Sequence, residues 1–350
     1  MVETDVLIVG QGLAGSALAW VLAERGASFV VVDRGGTDDW GRPSASRVAA
    51  GLITPITGKR LAMTPGWPRL WAAAEALYLA AEAKTGRRFL RRRRALRLLP
   101  SEMEQERLGM RLDDPRYAGH LGRVDPTSLP AQVTPPGAAC WLNAAARLNT
   151  AEYLAATRAW LAATGRYLRA EVNPDADVEV SSMGVRAGKI EVFARCVALC
   201  QGYCKTPPRR SAPLRLAPAK GEVLTIDAPE LALETVTHGG VWVAPESGVD
   251  TGKYRVGATH SWDPLDSRPT RAGLCELTDL FKRLSPVPFR VDAQEAGVRP
   301  ATSDRRPVAE VSPSEPRVAW INGLGAKGAL WAPAYAAALA ERLAGLGLIP

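Results

Sequence analysis

Residues 5–33 constrain the chain more than any other stretch, because they read as strand, glycine turn, helix, strand and acid. "DVLIV" is a short apolar run of strand type, and "GQGLAG" places glycines at Gly10, Gly12 and Gly15. "SALAWVLAERG" predicts an amphipathic helix that stops at Gly26, and "SFVVVD" predicts a second buried strand ending at Asp33. Each part has a task in a dinucleotide fold. Gly10 permits the tight turn, and Gly12, with Leu13 and Ala14 after it, lets a pyrophosphate approach the backbone. Gly15 lets helix and strand pack closely. The helix N-terminus offers free N–H groups and the positive end of its dipole to phosphate. Asp33, with Arg34 beside it, sits where an acid binds ribose hydroxyls. This unit specifies an α/β, Rossmann-type domain that binds a dinucleotide, but it does not separate NAD from FAD.

A chain of 350 residues is long enough for two domains, or for one with a second inserted. The net charge of +8 is a modest surplus for this length. The one charge run, "GRRFLRRRRALRLLPSE", carries only Phe89 as an aromatic and ends at Pro100, so it reads as a strand with solvated arginines rather than a nucleic-acid patch. The five cysteines are odd in number, and structure begins within a few residues of Met1 with no leader-like segment. No run reaches the eighteen or so apolar residues of a membrane span. The expectation is a cytoplasmic protein without a disulfide framework. Cys196 and Cys200 lie in "RCVALCQG", an apolar strand with no histidine nearby, and read as buried small side chains rather than metal ligands.

Near the other end, "RVAWINGLGAKGALWAPAYAAALAERLAG" repeats strand, glycine turn and helix, with Gly323, Gly325 and Gly328 in the turn, together with Ala326 and Lys327. Pro333 is expected inside the first turn of the helix. A second such unit suits the far end of a long cofactor. In FAD, adenosine would sit on the first motif and the flavin would reach the second. There the helix dipole and Lys327 would stabilise negative charge at the ring's O2 edge.

Between these motifs, "RVAAGLITPITGKR" (residues 47–60) holds no acid, histidine or cysteine, and its glycines and Pro55 break any helical period. "VAAGL", "KGEVLTI", "GGVWVAP", "YRVGAT", "AGVRPATSDRRPV" and "NGLGAKG" follow in an order that resembles the D-amino-acid oxidase and glycine oxidase superfamily of FAD-dependent oxidoreductases across almost the whole chain. The resemblance implies a discontinuous FAD domain at roughly 1–85, 141–206 and 296–350. It implies a substrate domain at 86–140 and 207–295, an α+β unit with a mostly antiparallel sheet. It makes residues 47–60 the wall beside the flavin, where Ala49, Ala50 and Gly51 bring the main chain close. Leu52 would shield the ring, Ser46 would reach the pyrophosphate or ribityl chain, and Gly202 would join the cofactor set.

The reaction implied is hydride removal from a carbon bearing an amine, with flavin N5 as acceptor and an imine as product. The expected partner is therefore a small-molecule amine or amino acid; neither a membrane nor a nucleic acid is expected. Arg299, in "GVRP", matches the arginine that holds a substrate carboxylate in the family's amino-acid oxidases, and it borders the flavin as well. Trp242 stands where those enzymes often have a tyrosine; an indole has no hydroxyl to offer, which suggests a bulkier substrate or a secondary amine. Tyr254 and His260 are weaker candidates for the pocket wall. The alternative is an oxidoreductase like the FAD part of the bifunctional tRNA wobble-uridine enzyme, although no methyltransferase segment accompanies it in this sequence.

Overall fold

A computed structural model describes residues 1–210, 214–246 and 251–350. The proline-rich crossing expected at "TPPRRSAPLRLAPAKG" is therefore described except for residues 211–213. Two eight-stranded sheets organise the chain. In the first, strand Val2–Val9 pairs in parallel with Phe29–Asp33 on one side and with Val192–Leu199 on the other. Val318–Asn322 adds in parallel beyond Val192–Leu199, and Tyr167–Arg169 adds beyond Phe29–Asp33. These strands are covered on both faces, so their sequences are continuous apolar runs rather than alternating ones. Cys196 and Cys200 are buried in this layer, as read.

Helix Leu13–Glu24 follows the first glycine turn as expected, but it is not amphipathic. Every residue from Leu13 to Leu22 is buried. The helix lies between the sheet and three others, Trp67–Thr85, Thr150–Ala163 and Gly328–Gly345, so no face meets water. The indole buried within it is matched: Trp20 Nε1 donates to Thr157 Oγ1 at 3.0 Å.

Helix Gly328–Gly345 starts sooner than its proline suggests, because a 3₁₀ turn, Gly325–Lys327, leads straight into it. Pro333 therefore falls in the second turn, not the first. A proline there cannot donate to the carbonyl four residues back. That carbonyl, of Ala329, instead accepts the Tyr78 hydroxyl at 2.7 Å.

The second sheet runs in the order Arg290–Arg299, Ala219–Asp227, Lys253–Gly257, Val241–Pro245, Thr237–Gly239, Ala95–Leu99, Ala138–Leu142, Leu121–Arg123. It is antiparallel except where Thr237–Gly239 lies beside Ala95–Leu99. Strand alternation gives it two unlike faces. Leu224, Ile226, Val241, Val243 and Val256 pack under helix Arg271–Leu284, whose Leu277 and Phe281 are fully buried. Tyr254 belongs to this core, with its hydroxyl accepting from Leu233 N at 3.1 Å. The expectation that Tyr254 lines the site is thus corrected: its strand parity turns it to the helix side. The opposite face, with Gly221, Val223, Trp242 and Gly257, looks into a cavity.

The arginine run divides in the same way. Arg92 and Arg93 point outward and pair with Glu75 at 2.8 Å and Glu234 at 3.0 Å. Arg97 does not: it is 7% exposed and turns to the cavity face. The reading of solvated arginines fails there because Arg97 sits in a strand whose residues are all buried.

Candidate active site

One cavity of about 830 Å³ runs from the first glycine turn to the open face of the second sheet. At its Rossmann end the backbone carries the geometry. A Cβ on Gly15 would lie 1.9 Å from the Gly10 carbonyl oxygen, so only glycine lets the helix approach the turn. Gly10 itself has φ +102°, in the region that favours glycine. Leu13 N donates to Ser46 Oγ at 3.2 Å, so Ser46 stands at the helix N-terminus, where a phosphate oxygen would be received. Asp33 Oδ1 accepts from Gly35 N at 2.7 Å and Gly36 N at 2.6 Å, while among the described residues Oδ2 accepts only from Gln11 N at 2.9 Å. A carboxylate oxygen takes two hydrogen bonds, so Oδ2 retains room for one hydroxyl. Arg34, at the cavity edge, is paired with Asp39 at 2.6 Å.

The apolar segment after Ser46 forms the middle wall. The carbonyls of Val48 to Gly51 are all taken up within the protein: Arg255 donates to Val48 O at 2.9 Å, Thr150 to Ala49 O at 3.0 Å, Arg147 to Ala50 O at 3.2 Å and Leu148 N to Gly51 O at 2.9 Å. The N–H groups of Ala50 and Gly51 have no acceptor among the described residues, and both residues line the cavity. A pair of donors left unmatched at a cavity wall is what a bound acceptor would satisfy. Gly51 has φ +68°, and a Cβ there would strike the Leu148 carbonyl at 1.8 Å, so the segment's path depends on it. Leu52 also faces the cavity.

The second turn closes the other side through Gly325, Ala326, Lys327 and Gly328. Lys327 Nζ donates to Thr64 Oγ1 at 3.1 Å, and burial lowers its pKa. Gly202 lines the cavity, and its carbonyl accepts from Asn322 Nδ2 at 2.8 Å. Gly15 and Gly323 of the expected set lie behind the wall rather than in it. Gly323 is packed against Thr302, whose Cγ2 would lie 2.7 Å from an added Cβ.

At the sheet end, Arg299 extends over Gly221, where any Cβ would come within 1.8 Å of its guanidinium. Its polar contacts are the carbonyls of Thr259 at 3.3 Å and Lys220 at 3.5 Å, and His260 Nδ1 at 3.4 Å. No carboxylate among the described residues pairs with it. Burial lowers its pKa, as expected for a cation without a counter-charge. His260 lines the cavity beside it, its pKa lowered by burial and then by Arg299 and Arg305. Trp242 covers Gly257, where an added Cβ would be 2.5 Å from the indole, and forms part of the wall.

Two residues that sequence reasoning passed over complete this end. Arg97 Nη1 lies 2.8 Å from His238 Nδ1, and Arg97 Nη2 pairs with Glu104 at 3.1 Å. Burial, then Arg97, pushes the His238 pKa down to about 3, so the ring is neutral. Arg97 and His238 both line the cavity. The signal was present: Arg97 is the one polar residue in the buried run "ALRLL".

A long cavity between a dinucleotide-type glycine turn and an antiparallel sheet has the form of a dinucleotide cofactor site that opens onto a substrate pocket. The model of the FAD dependent oxidoreductase (DAO) family matches residues 5–342, and the chain belongs to that family, with FAD as its cofactor. Among curated proteins, the chain is 28% identical over 98% of its length to the tRNA 5-methylaminomethyl-2-thiouridine biosynthesis bifunctional protein of Maricaulis maris, of which it spans about half, 52%. It is 25% identical to the putative thiamine biosynthesis oxidoreductase of Rhizobium etli, over 97% of this chain and 96% of that protein. Its fold matches glycine oxidase from Geobacillus kaustophilus with a TM-score of 0.81 at 21% identity, covering 99% of this chain and 95% of that one. It also matches iminodiacetate oxidase from Chelativorans sp. BNC1 with a TM-score of 0.78 at 22% identity, over 97% and 95% of the two chains. Among the described residues no helix is long and apolar enough to cross a membrane.

Proposed function

We propose that this enzyme oxidises the C–N bond of an amino acid or related amine that carries a carboxylate. The observation that carries the reading is Arg299, a guanidinium at the cavity wall whose polar neighbours among the described residues are carbonyls and a histidine. A guanidinium fork matches a carboxylate in two hydrogen bonds. In this reading Gly10, Gly12, Leu13, Ala14, Ser46 and Asp33 hold the adenosine and phosphate part of FAD. Ala49, Ala50, Gly51, Leu52, Ala326, Lys327 and Gly328 line the flavin part. FAD supplies the two-electron acceptor chemistry. Arg299 orients the substrate by its carboxylate, Trp242 and Leu52 exclude water, and Lys327 sits where a cation offsets negative charge. If the amine binds in its neutral form, no side-chain base is needed; His260 Nδ1 lies 3.4 Å from Arg299.

Division into a FAD part (1–85, 141–206 and 296–350) and a substrate part (86–140 and 207–295) goes with this reading, although strands Ala138–Leu142 and Arg290–Arg299 of the second sheet run across the boundaries at 140/141 and 295/296. Five free thiols are in keeping with work in the cytoplasm. If Arg299→Met leaves the Michaelis constant for the best carboxylated amine unchanged, the reading is wrong.

The Maricaulis relative favours a second reading, the same C–N oxidation on a modified tRNA nucleoside. Against it, part of the arginine run has local partners: Arg92 and Arg93, though exposed, pair with acids, and Arg94 lies 3.7 Å over the Trp141 ring. Salt-dependent binding of tRNA to the holoenzyme would support this second reading.

A further inference from the structure

The cavity-facing row of the second sheet is unlike at its two ends. Arg97, His238, Trp242, Gly257 and Val223 are direct neighbours across five adjacent strands. At about 4.8 Å per strand, the row spans on the order of 19 Å. Arg299 reaches over Gly221, on the same strand as Val223, at one end; the Arg97–His238 pair closes the other.

The two ends offer different chemistry. Arg299 has no carboxylate partner among the described residues and fits an anion. Arg97 is already neutralised by Glu104, and both partners are buried, with side chains 9% and 8% exposed. Arg97 Nη1 lies 2.8 Å from His238 Nδ1 and 3.3 Å from Nε2. A guanidinium has no acceptor, so the neutral ring accepts from Arg97 through one nitrogen and carries its proton, a donor, on the other. This end therefore offers a neutral hydrogen-bond donor, the remaining N–H of His238, but has no net charge to offer a second carboxylate.

We propose that Arg97 and His238 form a specificity site for an uncharged hydrogen-bond acceptor, such as an amide or ring carbonyl, on the distal substituent of the substrate amine. This rests on the amine-oxidising reading above. The substrate is then an extended amine with a carboxylate at one end and a neutral carbonyl at the other. A simple glycine would fill only the Arg299 end. Trp242, between the two, is the apolar surface along which the connecting chain lies.

Three series of N-alkylglycines test this on the FAD-loaded protein, with tails of graded length ending in a carboxamide, a hydrocarbon of the same shape, or a carboxylate. Affinity is read by calorimetry. At the best length the carboxamide should bind about tenfold tighter than the hydrocarbon, and the carboxylate tail should gain nothing over the hydrocarbon. His238→Phe should bring the carboxamide-to-hydrocarbon ratio close to one, and His238→Gln, which restores a donor, should return most of it. Equal affinity for all tails in the unaltered protein overturns the inference, as does tightest binding by the carboxylate tail. If Arg299→Met weakens all three series alike while tails are not distinguished, the amine reading stands and only this inference falls. If no N-alkylglycine binds at any length, both fall.

Discussion

Arg97, which is buried, and Arg299, which is half-buried, are guanidinium groups on the same face of one sheet, yet the protein treats them differently. Arg97 has a carboxylate at 3.1 Å and a histidine at 2.8 Å. Arg299 has carbonyls and a histidine, all at 3.3 Å or more. Burying a cation is costly unless it is paired. The paired one belongs to the fold as well as to the cavity. The unpaired one is maintained at a cost in stability, and such costs concentrate where a ligand supplies the missing charge.

The largest effect should come from breaking the paired end. Arg97→Met leaves Glu104 buried without its cation and should destabilise the protein by about 3 kcal/mol; adding Glu104→Gln should recover a good part. Urea unfolding of the two variants measures both. Next is the unpaired end, where Arg299→Met should weaken binding of a carboxylated ligand by about 10- to 100-fold, read by calorimetry on the holoenzyme. A third effect separates the ends by pH. His238 has a folded pKa near 3 against an ordinary 6.5, so the unfolded chain binds its proton first. Stability from this group is complete above pH 6.5 and is lost as pH falls toward 3. His238→Gln should flatten that part of the acid unfolding profile. The smallest effect is at Arg299 again. With no ligand bound, Arg299→Met should cost no stability or raise it by about 1 kcal/mol, since no ion pair is broken. A loss as large as that of Arg97→Met would erase the distinction between the two arginines.

The first glycine turn was legible residue by residue, because its constraints are local: Gly15 is required by a carbonyl only five residues earlier in the chain. The FAD-type cavity and the exposure of Arg299 to it also followed from motif order and resemblance. What escaped was set by tertiary neighbours. Nothing local says that helix Leu13–Glu24 is covered by three other helices, and the apolar sequence was read as amphipathic. Tyr254 and Trp242 are on neighbouring strands with opposite parity, so one is core and the other wall. Arg97 was merged into a basic run whose other members are solvated, although the apolar residues around it marked it as buried. Pro333 was read from helix statistics, and Tyr78, distant in sequence, supplies the hydrogen bond that allows it one turn later.

The central claim is that Arg299 anchors a carboxylated amine for oxidation by this FAD enzyme. The most direct test is anaerobic titration of the holoenzyme with glycine, sarcosine, D-proline and longer N-alkylglycines, following the visible flavin band in the unaltered protein and in Arg299→Met. The account predicts that at least one carboxylated amine bleaches the band, and that Arg299→Met requires about 10- to 100-fold more of it. A flavin band that no carboxylated amine bleaches, or one bleached equally in both proteins, would contradict it.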